Sequence, residues 1–124
     1  GSDASRVFDA QVMGGHRVTL GARLAMSNAS MVELVAQTPG AIGYVSMAAL
    51  GDSIRAVPLR AENGPAVTLS RESVTGGDYP LRAPIVVTGV SEPERDSALY
   101  AWFAWMQSPE GQTVISHRYA PLRP

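Results

Sequence analysis

"TPGAIGYVSMAAL", residues 38–50, is the stretch on which the reading of this chain turns. Thr38-Pro39-Gly40 signals a turn, with proline presetting one corner and glycine supplying the other. "AIGYVS" then reads as a short buried strand, and "SMAALG" as one helical turn closed by Gly51. Gly43 beside Tyr44 inside an apolar strand has two readings. In the packing reading, glycine lets a neighbouring element come close and tyrosine covers it with an apolar ring. In the ligand reading, the tyrosine hydroxyl faces a cleft.

Working outward, the segment before the turn, "ASMVELVAQ", has helical spacing with Met31, Leu34 and Val35 on one face and Ser27 or Asn28 as cap. "RVTLGARLA", residues 17–25, reads as a strand weakened by Gly21. Residues 3–15 read as a helix capped by Ser2 or Asp3 and stopped by Gly14-Gly15, with Val7, Phe8, Val12 and Met13 on its core side. Downstream, "SIRAVPLR" predicts an edge strand, because Pro58 removes a ladder donor. "ENGP" is a turn, and "TLSRESVTGG" predicts a short helix ended by Gly76-Gly77. "DYPLRAP" is extended, since residues before proline avoid the helical region. "IVVTG", residues 85–89, predicts a fully buried strand. The strongest helix follows in "RDSALYAWFAWMQ", where Leu99, Trp102, Phe103 and Met106 share a face. In "SPEGQTVISHRY", Ser108 at N-cap and Pro109 at the first helical position open the last helix. Helices alternate with strands, so the fold class is α/β with a mixed or parallel sheet.

The totals narrow the function. The chain has 124 residues, 45% hydrophobic and 17% charged, enough for one packed domain. A net charge of −1 gives no general attraction to nucleic acid or anionic lipid. Cysteine is absent, which excludes disulfides, thiol catalysis and thiolate metal sites. No apolar run approaches the ~20 residues that span a bilayer, and no signal-peptide pattern opens the chain. There is no Walker A, Rossmann, nucleophile-elbow or zincin motif. His16 and His117 each adjoin an arginine and read as solvated surface residues. The 11 carboxylates form no catalytic pair. Glu92, Glu94 and Asp96 read as favourable charge before a helix N-terminus. Trp102 and Trp105 read as core and as a surface or interface residue respectively. No constellation supports an enzyme, and no cofactor or metal is implied.

Three stretches, "MVELVAQTPGAIGYVSMAAL", "GGDYPLRAPIVV" and "QSPEGQTVISHRYAPL", occur in this order over nearly the whole chain. Together they resemble the substrate-binding proteins of phosphate ABC transporters, in the branch with a compact second lobe. That resemblance implies a type 2 periplasmic-binding-protein-like lobe, a mixed sheet flanked by helices. Residues 1–83 correspond to a second-lobe-like α/β unit, and 84–124 to a crossover strand and C-terminal helices, together one incomplete binding-protein domain. It implies an extracytoplasmic solute-binding module for phosphate or a similar oxyanion, with an ABC transporter permease as partner. The family's second lobe opens on a serine-glycine-threonine-arginine stretch whose helix N-terminus suits an oxyanion.

Here the opening is "GSDASRVF". Ser2 keeps the serine, while Asp3, Ala4 and Ser5 stand for glycine, threonine and arginine, with Arg6 next door. The resemblance therefore points to Ser2, Asp3, Ala4, Ser5, Arg6 and Tyr44 as ligand-binding positions. Asp3 repels phosphate and Ala4 donates no hydroxyl, so a second reading stands: a ligand-free interaction or sensing module with the same fold. In it, Ser2 and Asp3 merely cap the first helix. In the family the C-terminal helices pack on a first lobe, and the resemblance implies that the residues here begin at the second lobe, as a fragment or a natural half-protein. An exposed stripe of Leu99, Trp102, Phe103 and Met106 is then expected to drive homodimerisation through the C-terminal helix.

Overall fold

Serine sets the helix starts. The computed structural model describes residues 3–122. Helix α2 spans Asn28–Gln37 behind Ser27, whose hydroxyl accepts from the Ser30 N–H at 3.1 Å. The Ser30 hydroxyl in turn accepts from the Ser27 N–H at 3.0 Å, a reciprocal cap. Helix α3, Arg71–Gly76, repeats the arrangement with Ser70 and Ser73, both bonds 3.0 Å, and ends on Gly77 at φ 91°. Helix α4, Ala98–Gln107, starts where the Ser97 hydroxyl accepts from the Tyr100 N–H at 3.2 Å. Helix α5, Pro109–Ser116, starts behind Ser108, with proline where its missing N–H costs nothing. Glu92, Glu94 and Asp96 stand before α4, outside its first turn.

The first helix is shorter than its sequence pattern. Helix α1 covers Asp3–Phe8, and the chain then widens into a π-turn over Asp9–Met13 before Gly14 stops it at φ 55°. Widening rotates Val12 out of the core stripe, leaving it 52% exposed.

The strands depart most from expectation. Among the described residues the ladder is one antiparallel hairpin, β1 Leu59–Arg60 with β2 Ala66–Val67, pairing Leu59 with Val67 and Arg60 with Ala66. Its loop is the Glu62-Asn63-Gly64 turn, closed by Gly64 N–H to Ala61 carbonyl at 3.1 Å. The other predicted strands form no ladder among the described residues. Residues 17–25 are broken by a turn in which the Ala22 N–H reaches the Thr19 carbonyl at 3.0 Å, around the glycine that weakened the pattern. "AIGYVS" and "IVVTG" run without ladder partners, and of "SIRAVPLR" only Leu59 and Arg60 pair. A strand is a property of two segments: apolar composition makes a segment extended, and a neighbour makes it a strand.

Burial is correspondingly thin. Among the described residues only Tyr79 and Gly111 are buried. The accessible surface is 9974 Å², against about 6,400 Å² for a compact 13.1 kDa monomer. On α4, Leu99 and Trp102 are exposed, as the uncovered stripe implies and against the core reading of Trp102, and Trp105 is at the surface as read. Phe103 and Met106 are half-buried instead, because α4 folds back against α5.

Candidate functional site

The opening stretch is where the N-terminal half converges. Thr38-Pro39-Gly40 forms its turn, with the Ala41 N–H on the Thr38 carbonyl at 3.0 Å and Gly40 at φ 78°. The chain then lies across α2. A methyl added at Gly43 would stand 2.7 Å from Met31 Sδ and 3.0 Å from Val35 Cγ2, so the close approach requires glycine. Farther along, the Ser46 N–H meets Asn28 Oδ1 at 3.3 Å at the start of α2. Tyr44 turns the other way. Its ring stacks on Phe8 of α1, centroids 4.5 Å apart and planes 18° apart. Its hydroxyl lies 3.5 Å from Ser5 Oγ. Gly43 thus fastens the segment to α2 and Tyr44 fastens it to α1.

The predicted site residues are therefore partly assembled. Ser5 and Tyr44 come together although 39 positions apart. The Ser5 hydroxyl also lies 3.5 Å from an Asp9 carboxylate oxygen. Arg6 is exposed in the last turn of α1. Ala4 is in α1 and half-buried. Asp3 opens α1, while its side chain, like all of Ser2, lies outside the described structure.

The other two stretches that carry the resemblance are also fasteners. In "GGDYPLRAP", Tyr79 is 7% exposed, its N–H bonds the Ser73 carbonyl at 2.9 Å and its hydroxyl the Val57 carbonyl at 3.3 Å. Burial raises its phenol pKa. Two residues after Pro80, the Arg82 backbone is held from both sides by Gln11: Nε2 donates to the Arg82 carbonyl at 2.8 Å, and the Arg82 N–H donates to Oε1 at 3.3 Å. In "SPEGQTVISHRYAPL", the Ser108 hydroxyl accepts from the Gly111 N–H at 3.2 Å. Gln112 Nε2 donates to the Met106 carbonyl at 2.7 Å, and its Oε1 accepts from the Leu122 N–H at 2.7 Å. One amide thus ties the end of α4 to the "APL" end of the chain. Thr75 and Arg71 add bonds from α3 to the Pro121 and His117 carbonyls at 2.9 and 3.0 Å. Sequence spacing did not single out Gln11 or Gln112, since a lone glutamine carries no periodic signal. Tyr79 had one, a large aromatic between a glycine pair and a proline.

Charge is sparse around these fasteners. Glu72 and Glu110 sit in the first turns of α3 and α5, where their own backbone N–H groups and then the Ser70 and Ser108 hydroxyls hold their carboxyls below the usual range. His16 and His117 are exposed. Among the described residues, no three His, Asp or Glu side chains gather where a metal could be held. No described helix is long and apolar enough to cross a membrane. Two shallow grooves flank the 3₁₀ turn Met47–Ala49. One, of about 550 Å³, lies at the start of α2 beside Asn28, Ser46 and Tyr119. The other, of about 340 Å³, lies at the start of α3 beside Ser70 and His117, and Arg118 borders both. Their linings do not include Ser5, Arg6 or Tyr44. No family model matches the chain, and no solved structure matches it.

Proposed function

We propose that this chain is a solute-binding module for phosphate or a similar oxyanion, working outside the cytoplasmic membrane and delivering its ligand to an ABC transporter permease. One observation carries the reading: the Tyr44 hydroxyl and Ser5 Oγ lie 3.5 Å apart at the first helix, joining the two segments that the resemblance makes ligand-binding. Ser5 and Arg6 belong to a short helix whose N-terminal end carries the positive pole of the backbone dipole. Two hydroxyls and, in the last turn of the same helix, a guanidinium are donors of the kind an oxyanion needs. The binding is non-covalent and needs no cofactor. Asp3 opposes it, so affinity rests on whether donors outnumber that carboxylate at the bound anion. Calorimetric titration with orthophosphate at low ionic strength and neutral pH tests it. Saturable micromolar binding, lost in Ser5→Ala and Tyr44→Phe, is expected; no heat at millimolar phosphate sinks it.

A second reading, a ligand-free interaction or sensing module, is favoured by the surface. An area of 9974 Å² exceeds that of a compact chain of this mass by about 3,600 Å², and its uncovered apolar residues include Leu20, Leu24, Met26 and Ile42, each at least 82% exposed. Surfaces of this kind mark association. Silence in the phosphate titration, with self- or partner-association intact, is the result that puts this reading first.

A further inference from the structure

Arg118 stands between two grooves with its charge unmatched. It borders both the groove at the start of α2 and the one at the start of α3. Among the described residues its guanidinium makes no hydrogen bond or ion pair. Its backbone, in contrast, is fixed. The Arg118 N–H bonds the Ile115 carbonyl at 3.1 Å as α5 closes, and Arg71 reaches across from α3 to the His117 carbonyl at 3.0 Å. Segments 46 positions apart thus deliver Arg71, His117 and Arg118 to one groove.

Charge separates the two grooves. The one beside α2 sets Glu33 against Arg118, and so offers an anion one charge of each sign. The one beside α3 sets Arg71 and Arg118 against Glu72. Glu72 is engaged at its own helix start, where its backbone N–H and the Ser70 hydroxyl bond its carboxyl. The start of α3 is therefore already capped by a carboxylate and is not the place for a further anion. Two guanidiniums against one carboxylate leave a positive surplus, and the His117 imidazole adds a donor. The rest of the lining is mostly apolar, with Met47, Leu50 and Leu69 half-buried along it. A guanidinium fork matches the oxygens of a carboxylate or phosphate, and an apolar bed receives a hydrocarbon body. At about 340 Å³ the groove lies at the small end of ligand-sized sites, which hold roughly 300–1,000 Å³.

We propose that the groove beside α3 binds a small organic oxyanion, a carboxylate or phosphate monoester on an apolar body. Arg118 is the principal contact to the anionic head, and Met47, Leu50 and Leu69 lie against the body. The site is separate from the approach of Ser5 to Tyr44, neither of which lines this groove, and it does not rest on the phosphate reading.

Titrating the isotope-labelled chain with phenyl phosphate and, separately, benzoate locates the site by amide shifts and needs no variant. Residues 69–72 and 117–119 are expected to move, and Ser5, Arg6 and Tyr44 to stay. The tighter of the two anions identifies the head group. Orthophosphate, which has no apolar body, and benzyl alcohol, which has no charge, are each expected to bind there at least about tenfold more weakly. Arg118→Ala is expected to weaken phenyl phosphate roughly tenfold. The side chain is exposed, so its removal is expected to leave the spectrum outside the groove unchanged. Amides 117–119 unmoved by both anions, orthophosphate or benzyl alcohol binding there as well as phenyl phosphate, or undiminished binding in Arg118→Ala overturns the proposal. Phenyl phosphate that moves only Ser5, Arg6 and Tyr44 also overturns it while leaving the phosphate reading standing, so the two failures are told apart.

Discussion

Replacing Gly111 by alanine separates helix propensity from packing, because the two predict opposite signs. Gly111 is inside α5, and alanine is preferred over glycine in a helix by about 1 kcal/mol. Propensity alone therefore makes Gly111→Ala stabilising. The geometry reverses this. The added methyl would run into the main-chain carbonyl of Trp105 and stand 2.9 Å from Met106 Cα. These are backbone atoms at the end of α4, and no side-chain rotation clears them. Ordinary contact needs the helices to part by at least about half an ångström, more at the carbonyl. Overpacking of this kind costs roughly 1–3 kcal/mol. Parting also stretches the 2.7 Å bond from Gln112 to the Met106 carbonyl, worth about 1 kcal/mol. After the propensity gain, a net loss of about 1–3 kcal/mol remains. Urea unfolding at fixed protein concentration reads it, as a midpoint lower by roughly 1 M. Gly51→Ala is the control, since a methyl there meets nothing within 4 Å. A Gly111→Ala midpoint equal to or above that of the unmodified chain refutes the argument.

Gly43→Ala places a methyl against Met31 Sδ and Val35 Cγ2; the thioether can yield but the branched valine cannot, so a loss of about 1–2 kcal/mol is expected in the same unfolding assay. Tyr79 has a folded-state pKa raised by burial, so its contribution is full below the unfolded value near 10 and is lost as pH rises through the higher folded value. Thermal melts from pH 9 to 12 are expected to show that decline, and Tyr79→Phe to remove the part due to this residue; an unchanged alkaline limb in Tyr79→Phe counts against it. Glu72 and Glu110 have lowered pKa values, so the stability they add is present above about 4.5 and is lost as pH falls through their folded values. Replacing both by glutamine is expected to flatten the acid limb of the melting profile.

The helices were legible because their information is local. Ser27, Ser70, Ser97 and Ser108 each stand one residue before a helix, and each hydroxyl accepts from the N–H three residues on. Gly14, Gly40 and Gly77 mark positions of positive φ where the sequence reading put a stop or a turn. Strands were not legible to the same degree, because their information is shared. "IVVTG" has the composition of a central strand, yet nothing within it says which segment lies alongside. The hairpin that does form was signalled by the Asn63-Gly64 turn, where the chain meets itself again within a few residues. Of the site, the Tyr44–Ser5 approach was legible in no periodicity; the resemblance named both residues as ligand-binding positions without bringing them together. Gln11 and Gln112 were invisible, since bonds from a side-chain amide to a distant backbone leave no mark on spacing.

The stretches that carry the resemblance have an accountable structural use apart from any ligand. Gly43 admits α2, Tyr79 fills the one buried apolar position of the described chain, and Gly111 and Gln112 lock the α4–α5 corner. Such residues are demanded by how elements pack, so they speak to architecture. The ligand has to be argued from the start of α1, where Asp3 and Ala4 depart from the anion-binding pattern and Ser5 and Tyr44 offer hydroxyls. The two kinds of residue should therefore separate under mutation. Ser5→Ala removes the hydroxyl that Tyr44 approaches but leaves the Phe8–Tyr44 stack and the Gln11, Tyr79 and Gln112 bonds in place, so it is expected to change phosphate binding while lowering stability by no more than about 0.5 kcal/mol. Gln112→Ala opens the α4–α5 corner, whose bonds run to Met106 and Leu122 and not to Ser5, and is expected to lower the midpoint while leaving any phosphate affinity of the folded chain unchanged. If both substitutions move both readouts together, the N-terminal hydroxyls are part of the packing and the anion site is not where Ser5 and Tyr44 meet.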